Sequence, residues 1–317
     1  MRELSEVHEE LNAQARPSSA NWLKVMWSLF RTHTLTASFI PVLIGSALAW
    51  KATGHLRIML LAAMLTASVL IQVATNIFNE YFDHASGLDT VESVGIAGAI
   101  TQNGIRPRTI LRIAVAILVL ATLLGGFICS QSSWWVAPIG LLCMIVGYLY
   151  TGGPYPIAAT PFGEIFSGGF MGCGIILLSC FIQQTFVNWV DVLVSIPSAI
   201  LIGAILTANN IRDLEGDRDH GRRTLVILLG HQRAVRFLAC SLVAANLWIV
   251  ALVGARALSP WTLLVLGSLW PSMAAIRILR PGGTPAQMML GMKRVAQTNT
   301  IFGILLLIGL LINLPLW

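Results

Sequence analysis

The chain repeatedly runs for sixteen or more residues with hardly a charge, and few folds accommodate that. Nine such apolar runs lie near 33–50, 57–79, 109–130, 135–150, 164–183, 191–209, 234–255, 261–279 and 295–316. About twenty apolar residues in a helix match the roughly 30 Å hydrocarbon core of a bilayer. A helix also satisfies its own backbone polar groups there. The runs are continuous, which excludes the alternating pattern of a membrane β-barrel. Charged residues make up 11% of the 317 positions, against about a quarter in a soluble domain. A soluble globule, a disordered chain and a secreted disulfide scaffold are thereby excluded. The expected fold is all-α and polytopic, with nine transmembrane helices. One membrane domain over 21–317 follows a polar tail over 1–20. The fourth run is short and enters Thr151-Gly-Gly-Pro-Tyr-Pro156, which predicts a tilted or broken helix. Four glutamates among the first ten residues are unlike the start of a cleavable signal peptide. All five cysteines fall inside apolar runs and read as small buried residues.

With nine crossings, the tail and the even-numbered connections share one side. Seventeen of the 20 bases fall there, and only Lys51, Arg57 and Arg256 fall opposite. The positive-inside rule then predicts a cytoplasmic N-terminus. The net charge of +6 therefore suits topology, lipid head groups or an anionic substrate, and no nucleic-acid partner is expected.

The acids are more informative. Eight of the 14 form two clusters: Glu80, Asp83, Asp89 and Glu92, then Asp213, Glu215, Asp217 and Asp219. Each follows an apolar run, and both lie on the base-rich side. An offset of 130 carries Asn79 onto Asn209, Asp83 onto Asp213 and Asp89 onto Asp219, which suggests a weak internal duplication. Asn79 and Asp83 stand at i, i+4, as do Asp213 and Asp217, so each pair shares a helix face. Carboxylates aligned this way repel unless something positive lies between them. A hard divalent cation with oxygen ligands would serve, Mg²⁺ above all. Two such sites facing each other could be bridged by a diphosphate. Arg212, Arg218, Arg222 and Arg223 interleave with the second cluster, and arginine forks match phosphate oxygens. The plainer alternatives are solvated helix-end acids, and arginines placed by topology alone. Matched windows with asparagine at the same offset argue against the first.

Asn76-x-x-Asn-Glu-Tyr-Phe-Asp83-x-x-x-Gly-x-Asp89 resembles the first aspartate-rich motif of the UbiA superfamily of intramembrane aromatic prenyltransferases. Asn209-Asn-Ile-Arg-Asp213-Leu-Glu-Gly-Asp217 with Gly221-Arg-Arg-Thr-Leu225 resembles the second. Arg31-Thr-His-Thr-Leu35, Tyr150-Thr-Gly-Gly-Pro154 and Gly163-Glu164 look like the branch that prenylates 1,4-dihydroxy-2-naphthoate, with loss of CO2, in menaquinone synthesis. Glu80 and Arg222 stand where that branch usually has Asp and Lys, and both keep the charge. The resemblance implies a nine-helix bundle around a cavity, two Mg²⁺ ions and a polyprenyl diphosphate donor in a bacterial plasma membrane. It implies metal-binding roles for Asn79, Asp83, Asp213 and Asp217, with Asn76, Glu80 and Asp89 nearby. Asp83, Asp213 and Asp217 are the expected catalytic acids. Arg31, Asn209, Arg212 and Arg222 become expected phosphate or acceptor contacts. Tyr81, Phe82, Tyr148 and Tyr150 offer aromatic faces to an allylic cation. Glu164 begins the fifth run on the motif side, where a carboxyl is costly unless it faces a cavity, and joins the catalytic candidates. Asp191 reads as a helix N-terminal acid. Competing readings are a related enzyme acting on 4-hydroxybenzoate or haem, and a divalent-cation transporter.

Overall fold

The computed structural model describes residues 25–87 and 98–312, so the polar tail, Asp89 and Glu92 lie outside the described residues. All nine expected runs are helical. We label them α1 (Thr32–Thr53), α2 (Ile58–Ala85), α3 (Pro107–Gln131), α4 (Val136–Thr151), α5 (Gly163–Gln184), α6 (Trp189–Arg212), α7 (His231–Gly254), α8 (Pro260–Ile278) and α9 (Pro285–Leu311). Eight are long and apolar enough to cross a membrane, and α4, at 16 residues, is shorter. No strand occurs among the described residues.

Two boundaries differ from the sequence expectation. α2 continues past 79 to Ala85, so Asn79, Glu80 and Asp83 ride on its last two turns, as their helical spacing requires. α9 starts at Pro285, ten residues before its apolar run. A capping box sets that start: Thr284 accepts from Gln287 N, and the Gln287 side chain accepts from Thr284 N. Hydropathy marks the membrane, whereas caps mark the helix.

Helices adjacent in the chain pack on one another except α4 and α5; α5 packs on α1 and α6, and α9 returns to α1 and α6. Ile44, Leu201, Leu238, Ile249 and Phe302 belong to the largest buried cluster, on α1, α6, α7 and α9. Ile77, Ile110 and Ala114 join α2 to α3. The outside stays apolar, with Leu120, Leu123 and Leu247 at least half exposed, as suits lipid contact. Trp134 and Trp135, in the α3–α4 connection, and Trp189, the first residue of α6, are exposed at the end away from the motifs. Asp191 lies at that end too. Its carboxylate accepts from Asn188 N and from Gln184 Nε2, both at 2.8 Å, which caps α6.

α5 and α6 touch backbone to backbone. A Cβ built on Gly168 would lie 2.2 Å from the Ala199 carbonyl oxygen, and one on Gly172 2.5 Å from Ala199 Cα. α5 is wound as a π-helix over Gly168–Gly174, between α-helical segments. Close packing of small residues is the usual device for joining helices inside a membrane.

Candidate active site

The ends of α2 and α6 meet. α6 breaks at Asp213, and a short helix over Leu214–Asp219 carries the rest of the second motif. The break keeps the i, i+4 relation, because Asp217 N donates to the Asp213 carbonyl at 2.8 Å. Just beyond, Arg222 folds back between the motifs. Its Nη1 donates to Asp217 Oδ1 at 3.1 Å and its Nη2 to Asp83 Oδ1 at 3.3 Å. One guanidinium thus joins acids 134 positions apart in the chain. Arg212 pairs with its neighbour Asp213, Nε to Oδ1 at 2.6 Å, while its Nη1 rests on the Met292 sulfur at 3.1 Å.

Asp217 is only 4% exposed. Burial pushes its carboxyl up to about 6; Arg222 opposes the rise, while Asp213 and Asp83 add to it. A further cation beside these acids would favour their charged forms.

Two other first-motif residues turn elsewhere. Asn76 Nδ2 donates to the Phe30 carbonyl at 3.0 Å, and Asn76 Oδ1 accepts from Gln72 Nε2 at 3.0 Å. That holds the segment leading into α1, where half-buried Arg31 has a left-handed backbone with φ 46°. Glu80, 1% exposed, accepts from Ala99 N at 2.6 Å. The resemblance places Glu80 near the metal. Its carboxylate pins the chain that returns toward α3. Asn79 behaves differently: its Oδ1 is buried and has no hydrogen-bond partner. Glu215, Arg218 and Asp219 are exposed.

The aromatic residues divide into two groups. Phe78, Tyr81, Phe82 and Tyr148 cluster on the α2–α4 side, with Tyr81 and Phe82 centroids 5.3 Å apart and Phe82 and Tyr148 5.7 Å apart. Gly152 leaves room for that cluster, since a Cβ there would meet the Phe82 ring at 2.9 Å. Tyr150 is on the other face of α4, because two residues turn a helix about 200°. It sits beside Ser167, within electrostatic reach of Glu164 and Arg222. Glu164 Oε1 accepts from Asn210 Nδ2 at 3.0 Å. The sequence reading named Asn209 and passed over Asn210.

The residues present can be tested against a hard divalent cation. Among the described residues, no three His, Cys, Asp or Glu side chains stand close enough to share one ion. A closed protein cage is therefore absent from the described residues. Mg²⁺ seldom uses such a cage; it takes one or two carboxylates and fills its shell with water and phosphate oxygens. One or two of Asp83, Asp213 and Asp217 per ion, with the unpartnered oxygen of Asn79, would make that kind of incomplete shell. The donors fit.

The family model described as "UbiA prenyltransferase family" matches residues 38–296. The 1,4-dihydroxy-2-naphthoate octaprenyltransferase of Bacillus subtilis (strain 168) is 51% identical over 300 residues, covering 95% of this chain and 96% of that protein. The apo structure of a UbiA homolog from Aeropyrum pernix K1 superposes with a TM-score of 0.64 at 17% identity, covering 86% of this chain and 96% of that one. A UbiA homolog from Archaeoglobus fulgidus, bound to DMAPP and Mg²⁺, superposes with a TM-score of 0.60 at 13% identity over 89% and 98%.

Proposed function

The chain belongs to the UbiA prenyltransferase family, and from that premise we propose that it transfers a polyprenyl group from its diphosphate to 1,4-dihydroxy-2-naphthoate, with loss of CO2. The 51% identity to the Bacillus subtilis enzyme, over nearly all of both chains, supports that acceptor. The observation that carries the reading is the Arg222 bridge between Asp83 and Asp217, which gathers the two acidic motifs around one point of positive charge.

In this reading Asn79, Asp83, Asp213 and Asp217 would hold Mg²⁺, two ions by the family resemblance, beside the diphosphate of the donor. Bound Mg²⁺ supplies charge neutralisation to the leaving diphosphate. Arg222 and Arg212 exchange their carboxylate partners for phosphate oxygens, which an arginine fork fits bidentately. Phe78, Tyr81, Phe82 and Tyr148 face the allylic carbon as it becomes cationic. Asn76 and Glu80 hold the frame. The apolar helices keep water from the cation. The N-terminus and both motifs face the cytoplasm of a bacterial cell, which the base-rich side supports. Transport of a bare cation is disfavoured, because Arg212 and Arg222 already pair with the acids that would have to carry it.

The test uses purified protein, a polyprenyl diphosphate and a panel of 1,4-dihydroxy-2-naphthoate, 4-hydroxybenzoate and haem, with Mg²⁺ or with chelator. We expect a naphthoate product that has gained the prenyl group and lost CO2, formed only with Mg²⁺. Prenylation of another ring in its place would overturn the acceptor assignment. No product from any acceptor would overturn the reading.

A further inference from the structure

The metal and diphosphate reading leaves one buried carboxylate without a task. Glu164 is 6% exposed at the start of α5. One of its oxygens takes the Asn210 amide, and the other, Oε2, is buried with no hydrogen-bond partner. Buried polar atoms in native proteins nearly always have partners, so an orphan needs an explanation.

The surroundings narrow that explanation. The start of α5 is fixed from two sides. Arg223 N donates to the Ala159 carbonyl at 2.9 Å, tying the loop before α5 to the second motif. A Cβ on Gly203 would stand 3.0 Å from the Glu164 carbonyl oxygen, so α6 passes close against this turn. Tyr150, beside Ser167, is within electrostatic reach of both Glu164 and Arg222. Glu164 therefore lies at the motif end of the bundle. Oε2 calls for a partner with a proton to give. A hydroxyl has one.

We propose that Oε2 of Glu164, held in place by Asn210, accepts a hydrogen bond from a ring hydroxyl of the aromatic acceptor, with Tyr150 beside it. This deepens the proposed function and rests on it: it gives the acceptor a location and a chemical requirement, an O–H donor. The acceptor's own carboxylate is then directed away from Glu164. Asn210 is a positioning residue, since it acts through its hydrogen bond to Glu164.

The decisive measurement pairs substrate changes with residue changes. Wild type, Glu164→Ala and Glu164→Gln are compared on 1,4-dihydroxy-2-naphthoate and on its two mono-O-methyl ethers, reading KM and kcat for each. Wild type is expected to show a rise in KM of about tenfold or more for one ether, as lost hydrogen bonds to charged groups cost. In Glu164→Ala that discrimination is expected to fall to within about threefold, because the group that recognised the hydroxyl is gone. Glu164→Gln must keep its carbonyl toward Asn210 and turn an NH2 to the acceptor, so it too is expected to lose the preference. It carries the test alone if the alanine variant does not fold. The KM for the prenyl diphosphate is expected to stay within about threefold of wild type in both. An ether penalty of the same size in wild type and variants would overturn the assignment while leaving the prenyltransferase reading intact. Absence of all prenylation in wild type would overturn both.

Discussion

Asp83→Asn and Asp213→Asn are each expected to lower turnover by about a hundredfold to a thousandfold while leaving the melting temperature within a few degrees of wild type. The rate effect follows from where charge moves. As the C–O bond of the donor breaks, negative charge grows on the diphosphate, and removing one preorganised partner of that charge costs about that much. The small effect on folding follows from exposure. The side chains of Asp83 and Asp213 are 27% and 37% exposed, so water already solvates part of each carboxylate. Asparagine keeps the shape. Arg222 still has Asp217 when Asp83 is neutral, and Arg212 meets only a neutral partner when Asp213 is changed. Turnover with saturating donor, read beside a thermal melt in detergent, separates the two effects. Near-normal rates in both variants would sink the metal and diphosphate roles of these acids.

A larger effect on stability is expected at Gly172. With Ala199 Cα only 2.5 Å from the position of a Cβ, Gly172→Leu must push α5 and α6 apart along their closest approach. Overpacking of this kind costs about 3 kcal/mol or more when backbone has to move. Gly169 is the internal control. It is three positions away in the same π turn, and a Cβ there meets nothing within 4 Å, so Gly169→Ala is expected to be tolerated. Thermal melts of the two variants check the contrast. Equal loss in both would mean that helix geometry, and not the α5–α6 contact, sets the sensitivity.

The helices and the two motifs were legible in the sequence because each rests on a local pattern. Apolar runs report burial in lipid, and i, i+4 spacing places Asn79 with Asp83 and Asp213 with Asp217 wherever the helices pack. The direction in which a side chain turns is a tertiary fact. Glu80 has the spacing of a ligand, yet it caps Ala99 N, on a segment 19 positions away that spacing cannot see. Tyr148 and Tyr150 looked equivalent as aromatics near the motif, although their offset of two already placed them on opposite faces of α4. Asn210 had a readable signal as well. It is seven residues after Gly203, on the same face of α6, and a glycine on that face marks where another backbone comes close. Arg222 was weighed among four arginines, and only the fold singles it out as the bridge.

The π turn in α5 makes the two ends of that helix answer to different clocks. One additional residue offsets everything before Gly168 from everything after Gly174 by about 100°. The outer half keeps its apolar face toward α1, while the inner end presents Glu164 to Asn210, a combination that a uniform helix could not reach with this order of residues. Deleting Gly169 would return α5 to a single phase. The outer half is expected to stay docked and Glu164 to swing off Asn210, giving a protein that still melts cooperatively but treats 1,4-dihydroxy-2-naphthoate and its methyl ethers alike. Retained discrimination in the deletion variant would show that the turn carries no such offset. A single-residue indel here would then act as a rotary adjustment of acceptor choice, made without altering any residue that contacts the acceptor.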